Sequence, residues 1–286
     1  LNRSRDRGEA FNLVLTHYAI ERFLYRLTQT AHSEQFILKG AMLFAIWSDK
    51  PCRPTQDVDL LGPANTSPDA LAEICREICA ADVEPDGITF DPDSIRADEI
   101  REEQAYQGLR VKLMGCLGKA RVPLQVDVGF GDAVTPTPQY VTFGPLLDLP
   151  APVLKAYPPD TMVAEKLETM VRRGMPNNRM RDYYDLWWMC RFMTFDGSTL
   201  ADAIRATFER RRTPLPVDLP IGLSNEFASH PLKAPQWSSF VRKSGVENAP
   251  SLPQVLDLLR RFAAPLLNTA AQPASFPKKW ASGEWR

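Results

Sequence analysis

The sequence predicts an α+β chain, with a small mixed sheet flanked by helices first and a mainly helical part after it. Three observations carry this. Strand-like and helix-like segments alternate from Phe36 to Phe130, seven prolines fall between Pro136 and Pro159, and beyond them apolar residues recur at helical spacing. A chain of 286 residues suffices for one large domain or two modest ones. The expected division is a sheet-bearing domain with an N-terminal helix over 1–150, a helical domain over 151–270 and a tail over 271–286.

The elements follow in order. Phe11 to Leu27 repeats Phe11, Val14, Tyr18, Ile20, Phe23, Leu24 and Leu27, an amphipathic helix that leaves Glu21, Arg22 and Arg26 for its wet side. Phe36-Ile37-Leu38 reads as a strand leading into Lys39-Gly40, with a helix or tight turn from Ala41 to Trp47. Asp57 to Leu61 is a short strand closed by Gly62-Pro63, and Asp69 to Ala80 a second amphipathic helix. Short strands are expected at Ile88 to Phe90 and Leu109 to Met114. Pro123 to Phe130 is a clear strand, with Leu124, Val126 and Val128 on one face and Gln125 and Asp127 on the other. The proline-dense stretch predicts an extended connector without regular elements. Helices are then expected at Thr161 to Arg173, Met180 to Met193, Leu200 to Arg211 and Leu252 to Leu267.

Bulk composition narrows the classes. A formal net charge of −1 argues against a protein that coats nucleic acid non-specifically, though it leaves room for a local basic patch. Five scattered cysteines do not form a disulfide framework and fit free thiols. Cys75 and Cys79, at helical i,i+4 spacing without His or Cys companions, read as core rather than as metal ligands. No run reaches the ~18 apolar residues of a membrane span. Leu1 to Glu9 is polar and charged, unlike a secretory signal, so the cytoplasm is the expected compartment.

Asp57-Val58-Asp59 carries the chemistry. Residues two apart on a strand share a face, so both carboxylates are presented side by side. Such a pair is costly unless a cation neutralises it, and Mg²⁺, with its preference for oxygen ligands, suits it (Mn²⁺ is the alternative). Taken alone, the tripeptide more often marks two surface aspartates at a strand end or a calcium-like loop. Three neighbours add to it. Lys39-Gly40, seventeen residues before Asp57, ends an apolar strand and opens a helix, so a glycine lets backbone amides approach a triphosphate and a helix N-terminus favours its negative charge. Asp127 is positioned as a third carboxylate for the metal. Arg53 and Thr55 immediately precede the pair and offer a phosphate contact and a hydroxyl.

This layout resembles the AbiEii/AbiGii toxin family of bacterial nucleotidyltransferases. The matching residues are Phe36-Ile37-Leu38-Lys39-Gly40-Ala41-Met42-Leu43 and Arg53-Pro54-Thr55-Gln56-Asp57-Val58-Asp59. Downstream come Ala164-Glu165-Lys166-Leu167-Glu168 and Arg179-Met180-Arg181-Asp182-Tyr183-Tyr184-Asp185. The resemblance implies a nucleotidyltransferase-fold sheet, with Gly40 at the phosphate turn and Asp57 and Asp59 on the metal. It implies that Lys166 contacts the nucleotide phosphates, with Arg179 and Arg181 beside them, and that Asp182 and Asp185 complete the cleft from the helical domain. Two departures stand out: Ala41 follows the glycine where serine is common, and Arg181 stands where lysine is common, a change that alters phosphate geometry.

The helical pattern bears on Lys166 independently. Val163, Leu167 and Met170 form a buried stripe with Lys166 at its edge, which fits an ordinary snorkelling lysine as well as one delivering charge into a site. Asp182 and Asp185 share a face, as helix-start residues also do. Arg172, Arg173, Arg179 and Arg181, with Arg210, Arg211 and Arg212, read either as solvated helix ends or as a track for RNA phosphates. His17, His32 and His230 have no companion motif. Trp187 and Trp188 read as packing residues.

The expected activity is transfer of a nucleoside monophosphate from an NTP to an acceptor hydroxyl with release of pyrophosphate. The resemblance points to a tRNA 3′ end as acceptor, to a toxin–antitoxin or phage abortive-infection system, and to a cognate antitoxin that need not touch this chain. A small-molecule or protein acceptor, and NTP binding without transfer, are the alternatives. A sugar transferase built on Asp57-x-Asp59 would want several parallel strands before the motif, and one is visible. Thr55, two residues before Asp57, is an expected off-switch, since a phosphate there sets negative charge beside the carboxylates.

Overall fold

The computed structural model describes residues 10–48, 52–100, 108–272 and 275–286. The segment Leu1 to Glu9, read above for a secretory signal, lies outside them. The chain divides into two compact units, Leu1–Gly131 with Pro138–Tyr157, and Asp132–Thr137 with Pro158–Arg286.

The first unit opens with helix α1 (Phe11–Thr28), followed by β1 (Ile37–Lys39), a one-turn helix α2 (Phe44–Trp47), β2 (Asp57–Gly62) and α3 (Pro68–Cys79). Strands β3 (Ile88–Glu99), β4 (Gly108–Leu117), β5 (Ala120–Phe130), β6 (Gln139–Thr142) and β7 (Val153–Ala156) complete it. The seven strands form one mixed sheet in the order β3-β4-β5-β2-β1-β7-β6. Strand β2 runs antiparallel to β1 and parallel to β5. Alternation builds its two faces: Val122, Leu124, Val126 and Val128 of β5 and Val58 and Leu60 of β2 are buried, while the residues between them stay at least partly exposed.

The structure departs from expectation in three places. First, Glu21, Arg22 and Arg26 are buried rather than on the wet side of α1. Arg22 and Arg26 both reach Asp86, Arg22 donates to the Pro150 carbonyl at 3.0 Å, and Glu21 accepts the Leu146 amide at 2.7 Å. Paired and hydrogen-bonded charges tolerate burial that isolated ones do not. Second, β3 is far longer than Ile88 to Phe90, because its polar outer half pairs with β4 across an irregularity between Asp91 and Arg96. There Ser94 Oγ donates to the Asp91 carbonyl and accepts the Met114 amide. Third, the proline-dense stretch does hold regular structure. Its prolines bracket β6 and β7 without entering them, and Ala156 pairs with Leu38 in parallel, adding both strands to the sheet.

The second unit contains α4 (Pro159–Arg173), α5 (Met180–Phe192), β8 (Phe195–Asp196), α6 (Gly197–Arg210), α7 (Asn225–Ser229), α8 (Lys233–Ser244) and α9 (Leu252–Ala270). Strands β9 (Lys279–Ala281) and β10 (Glu284–Trp285) then complete a three-stranded sheet with β8. The C-terminal stretch, read above as a tail, is therefore packed where it is described. Trp280 is fully buried and donates Nε1–H to the Cys190 carbonyl at 2.7 Å, and Trp285 stacks on Phe262 with centroids 5.5 Å apart. Among the described residues, no helix is long and apolar enough to cross a membrane.

Candidate active site

The first unit brings Lys39, Asp57, Asp59 and Asp127 onto one face of the sheet. With Val58 and Leu60 turned inward, Asp57 and Asp59 point the other way. Register then extends a charged row across four strands. Asp59 stands opposite Lys39 on β1 and Asp127 on β5, and Asp127 stands opposite Arg110 on β4. Directly opposed residues share a face, about 4.8 Å apart between strands. The adjoining row runs Asp57, Gln125, Lys112.

Gly40 explains why Asp59 fits. Its φ of +75° is a conformation that L side chains rarely adopt, and a Cβ there would lie 2.6 Å from Asp59 Cγ and in overlap with Oδ2. The absent side chain is the space the carboxylate uses. Ala41–Leu43 forms a 3₁₀ turn before the four-residue α2, so the expected helix is short. The phosphate-turn reading of Gly40 therefore rests on close backbone approach rather than on a helix dipole. Lys39 lays its ammonium 5.0 Å from the centre of the Tyr157 ring.

Arg53 and Thr55 lie part-buried before β2. The Thr55 carbonyl accepts from His17 Nε2 at 2.7 Å, which places the ring proton on that nitrogen. His17, which has no companion motif in the sequence, anchors the segment entering the carboxylate strand, across 38 residues of sequence.

Asp127 takes its expected face, yet its carboxylate is held by a guanidinium. Arg110 donates through Nε to Oδ1 at 2.8 Å and through Nη2 to Oδ2 at 2.7 Å, and Gln125 adds a weaker contact to Oδ2. Among the described residues, no three His, Cys, Asp or Glu side chains form a ready metal cage. The donor chemistry nonetheless fits a hard divalent cation: Asp57 and Asp59 supply oxygen ligands on one face, and Gly40 keeps the space around Asp59 clear.

The second unit gathers the other predicted residues. Lys166 on α4 donates to Asp182 Oδ1 and to Asp185 Oδ2, both at 2.8 Å, and Arg179 donates to Asp182 Oδ2 at 2.8 Å. Both carboxylates are buried. Burial alone would push the Asp182 carboxyl up, but Lys166, Arg179 and Arg181 outweigh it and hold it well below the usual carboxylate range. Arg181 itself is exposed.

Two supports were not foreseen. Buried Asn177 accepts the Arg179 amide through Oδ1, while its carbonyl accepts from buried Lys233 at 2.7 Å. Arg211, read as a helix end or phosphate track, is instead a hub that meets Asp132, Glu165 and Glu168 at 3.0, 3.2 and 2.9 Å. Glu168 is fully buried and also accepts from Arg172 and Thr213. Arg172 and Arg179 thus spend at least one donor inside the unit.

Fold and site together define an α+β protein whose mixed sheet presents paired carboxylates beside a glycine turn. The chain matches the family described as nucleotidyl transferase AbiEii toxin, type IV toxin–antitoxin system, over residues 22–261, and belongs to it. Two solved structures from Helicobacter pylori are similar. JHP933 is 12% identical, with 92% of this chain and 91% of that one covered and a TM-score of 0.46. A protein provisionally titled a nucleotidyltransferase is 13% identical, with 92% and 94% covered and a TM-score of 0.45. No curated protein sequence matches the chain. Membership places the chain among nucleotidyltransferase toxins.

Proposed function

We propose that the protein transfers a nucleoside monophosphate from an NTP to an RNA hydroxyl, a tRNA 3′ end, with Mg²⁺ held by Asp57 and Asp59. The observation that carries the reading is the pair itself, two carboxylates on one face of β2 with Asp59 seated against Gly40. Family membership supports the reaction class. The toxin class favours this acceptor, because capping the acceptor end of tRNA halts translation.

In the reaction the acceptor oxygen bonds to the α-phosphorus as the α–β phosphoanhydride bond breaks. Pyrophosphate leaves with the electron pair, and the hydroxyl proton passes to solvent. The bound cation would neutralise charge developing on the phosphates. This chain's own contribution is to orient: Gly40 admits the phosphates to the backbone, Lys39 and Arg53 set cationic groups near the pair, and His17 fixes the segment that enters it. In the helical unit, Lys166 contacts phosphate from a frame made by Asp182 and Asp185, with Arg179 and Arg181 beside it.

The test supplies each α-radiolabelled NTP, Mg²⁺ and total bacterial RNA. Label entering a tRNA-sized band, and not with Asp57→Ala, supports the reading. Label in a protein or small-molecule fraction instead retains the chemistry and removes the tRNA acceptor.

A further inference from the structure

Asp59 and Asp127 face each other on neighbouring parallel strands. Two carboxylates one strand spacing apart repel one another, and a fold that forms before any cation arrives must compensate them. The row supplies the compensation, with Lys39 opposite Asp59 and Arg110 opposite Asp127. The Arg110 contact is the stronger kind, a planar fork engaging both oxygens of Asp127 at 2.8 and 2.7 Å. Both partners keep some solvent access, with side chains 36% and 19% exposed, so the pair is open to exchange.

We propose that Arg110 is a latch on Asp127: it neutralises the third carboxylate while the site is metal-free and sets the metal affinity by competing for the same two oxygens. This rests on the reading that Asp57 and Asp59 bind a divalent cation. In this account Asp127 joins the metal only when the guanidinium lets go, so Arg110 is a positioning residue. Weak metal binding by the unliganded protein follows, and a ligand that makes the exchange favourable tightens it.

Mn²⁺ binding to the full chain, followed by loss of the free-ion EPR signal, tests this directly. Arg110→Lys keeps the charge but loses the fork, Arg110→Gln loses both, and Lys112→Gln removes a neighbouring exposed charge that lies in the adjoining row. The latch predicts Mn²⁺ binding several-fold tighter in Arg110→Lys and about tenfold tighter in Arg110→Gln, a change of about 1.4 kcal/mol. Lys112→Gln should shift it much less. In an Asp127→Asn background, Arg110→Gln should shift it no more than Lys112→Gln does. If Arg110→Lys matches the wild type and Arg110→Gln matches Lys112→Gln, the guanidinium acts only as a distant charge and the latch is overturned. The metal pair would still stand, provided Asp57→Asn abolishes binding. If no variant binds Mn²⁺, the metal reading falls, and the latch with it.

Discussion

The carboxylate of Asp59 occupies the space that a side chain on Gly40 would need, so the two residues cannot be varied independently. Gly40→Ala should strain the backbone by about 1–3 kcal/mol at a positive φ and also push Asp59 off its position. Expected outcomes are a lower melting temperature and transferase activity reduced far beyond what the stability loss explains. Activity measured well below the melting temperature separates the two effects. Wild-type turnover in the alanine variant would show that the seat is not required.

Lys166 compensates two buried carboxylates at once. Lys166→Met leaves Asp182 and Asp185 with less positive charge and should cost about 3 kcal/mol or more at neutral pH. The sign with pH follows from the depressed Asp182 carboxyl. In the wild type its stabilisation is present above the ordinary aspartate range and is lost only as pH falls well below it. In the variant, protonation relieves the uncompensated charge sooner. The gap between variant and wild type should therefore narrow on acidification, as denaturant titrations at several pH values would report.

Asp160, near the start of α4, behaves oppositely. Burial, with Asp196 adding to it, pushes its carboxyl up to about 6. A raised acid contributes stability below its unfolded value near 4, and that contribution is lost as pH rises through about 6. Asp160→Asn should flatten this part of the stability profile and raise stability at pH 7.5 by at most about 3 kcal/mol. Thermal melts of both proteins across pH 4.5 to 7.5 check it.

The C-terminal strands should be structural. Trp280→Ala removes a fully buried indole and its bond to the Cys190 carbonyl, at an expected cost of about 3–5 kcal/mol. A truncation ending before β9 should destabilise the helical unit similarly. A melting temperature unchanged in both would mean that the hairpin contributes no stability.

What was legible in the sequence follows locality. The Asp57 and Asp59 pair, the Gly40 turn and the alternation of β5 are patterns spanning a few residues, and they read directly. The ion pairs of α1 depend on Asp86 and Pro150, distant partners that no helical wheel contains, so buried charges looked solvated. Strands as short as β8, β9 and β10 show no period at all. In the helical unit α4, α5, α6 and α9 show their faces in the sequence, whereas α7 and α8 fall where no helix is expected, and the bonding of Lys166 to Asp182 and Asp185 is set by how α4 packs on α5. Arg110 carried no local signal; only the register of β4 against β5 reveals its partner.

The most direct test of the central claim is pyrophosphate release from NTP in the presence of RNA. It would compare the wild type with Asp57→Asn and Asp59→Asn, each with Mg²⁺ and with chelator. The account predicts release by the wild type with Mg²⁺ only, and a fall of a hundredfold or more in both variants, on the order of 3 kcal/mol of transition-state stabilisation, with folding intact. Release that survives either substitution, or that proceeds in chelator, would contradict it.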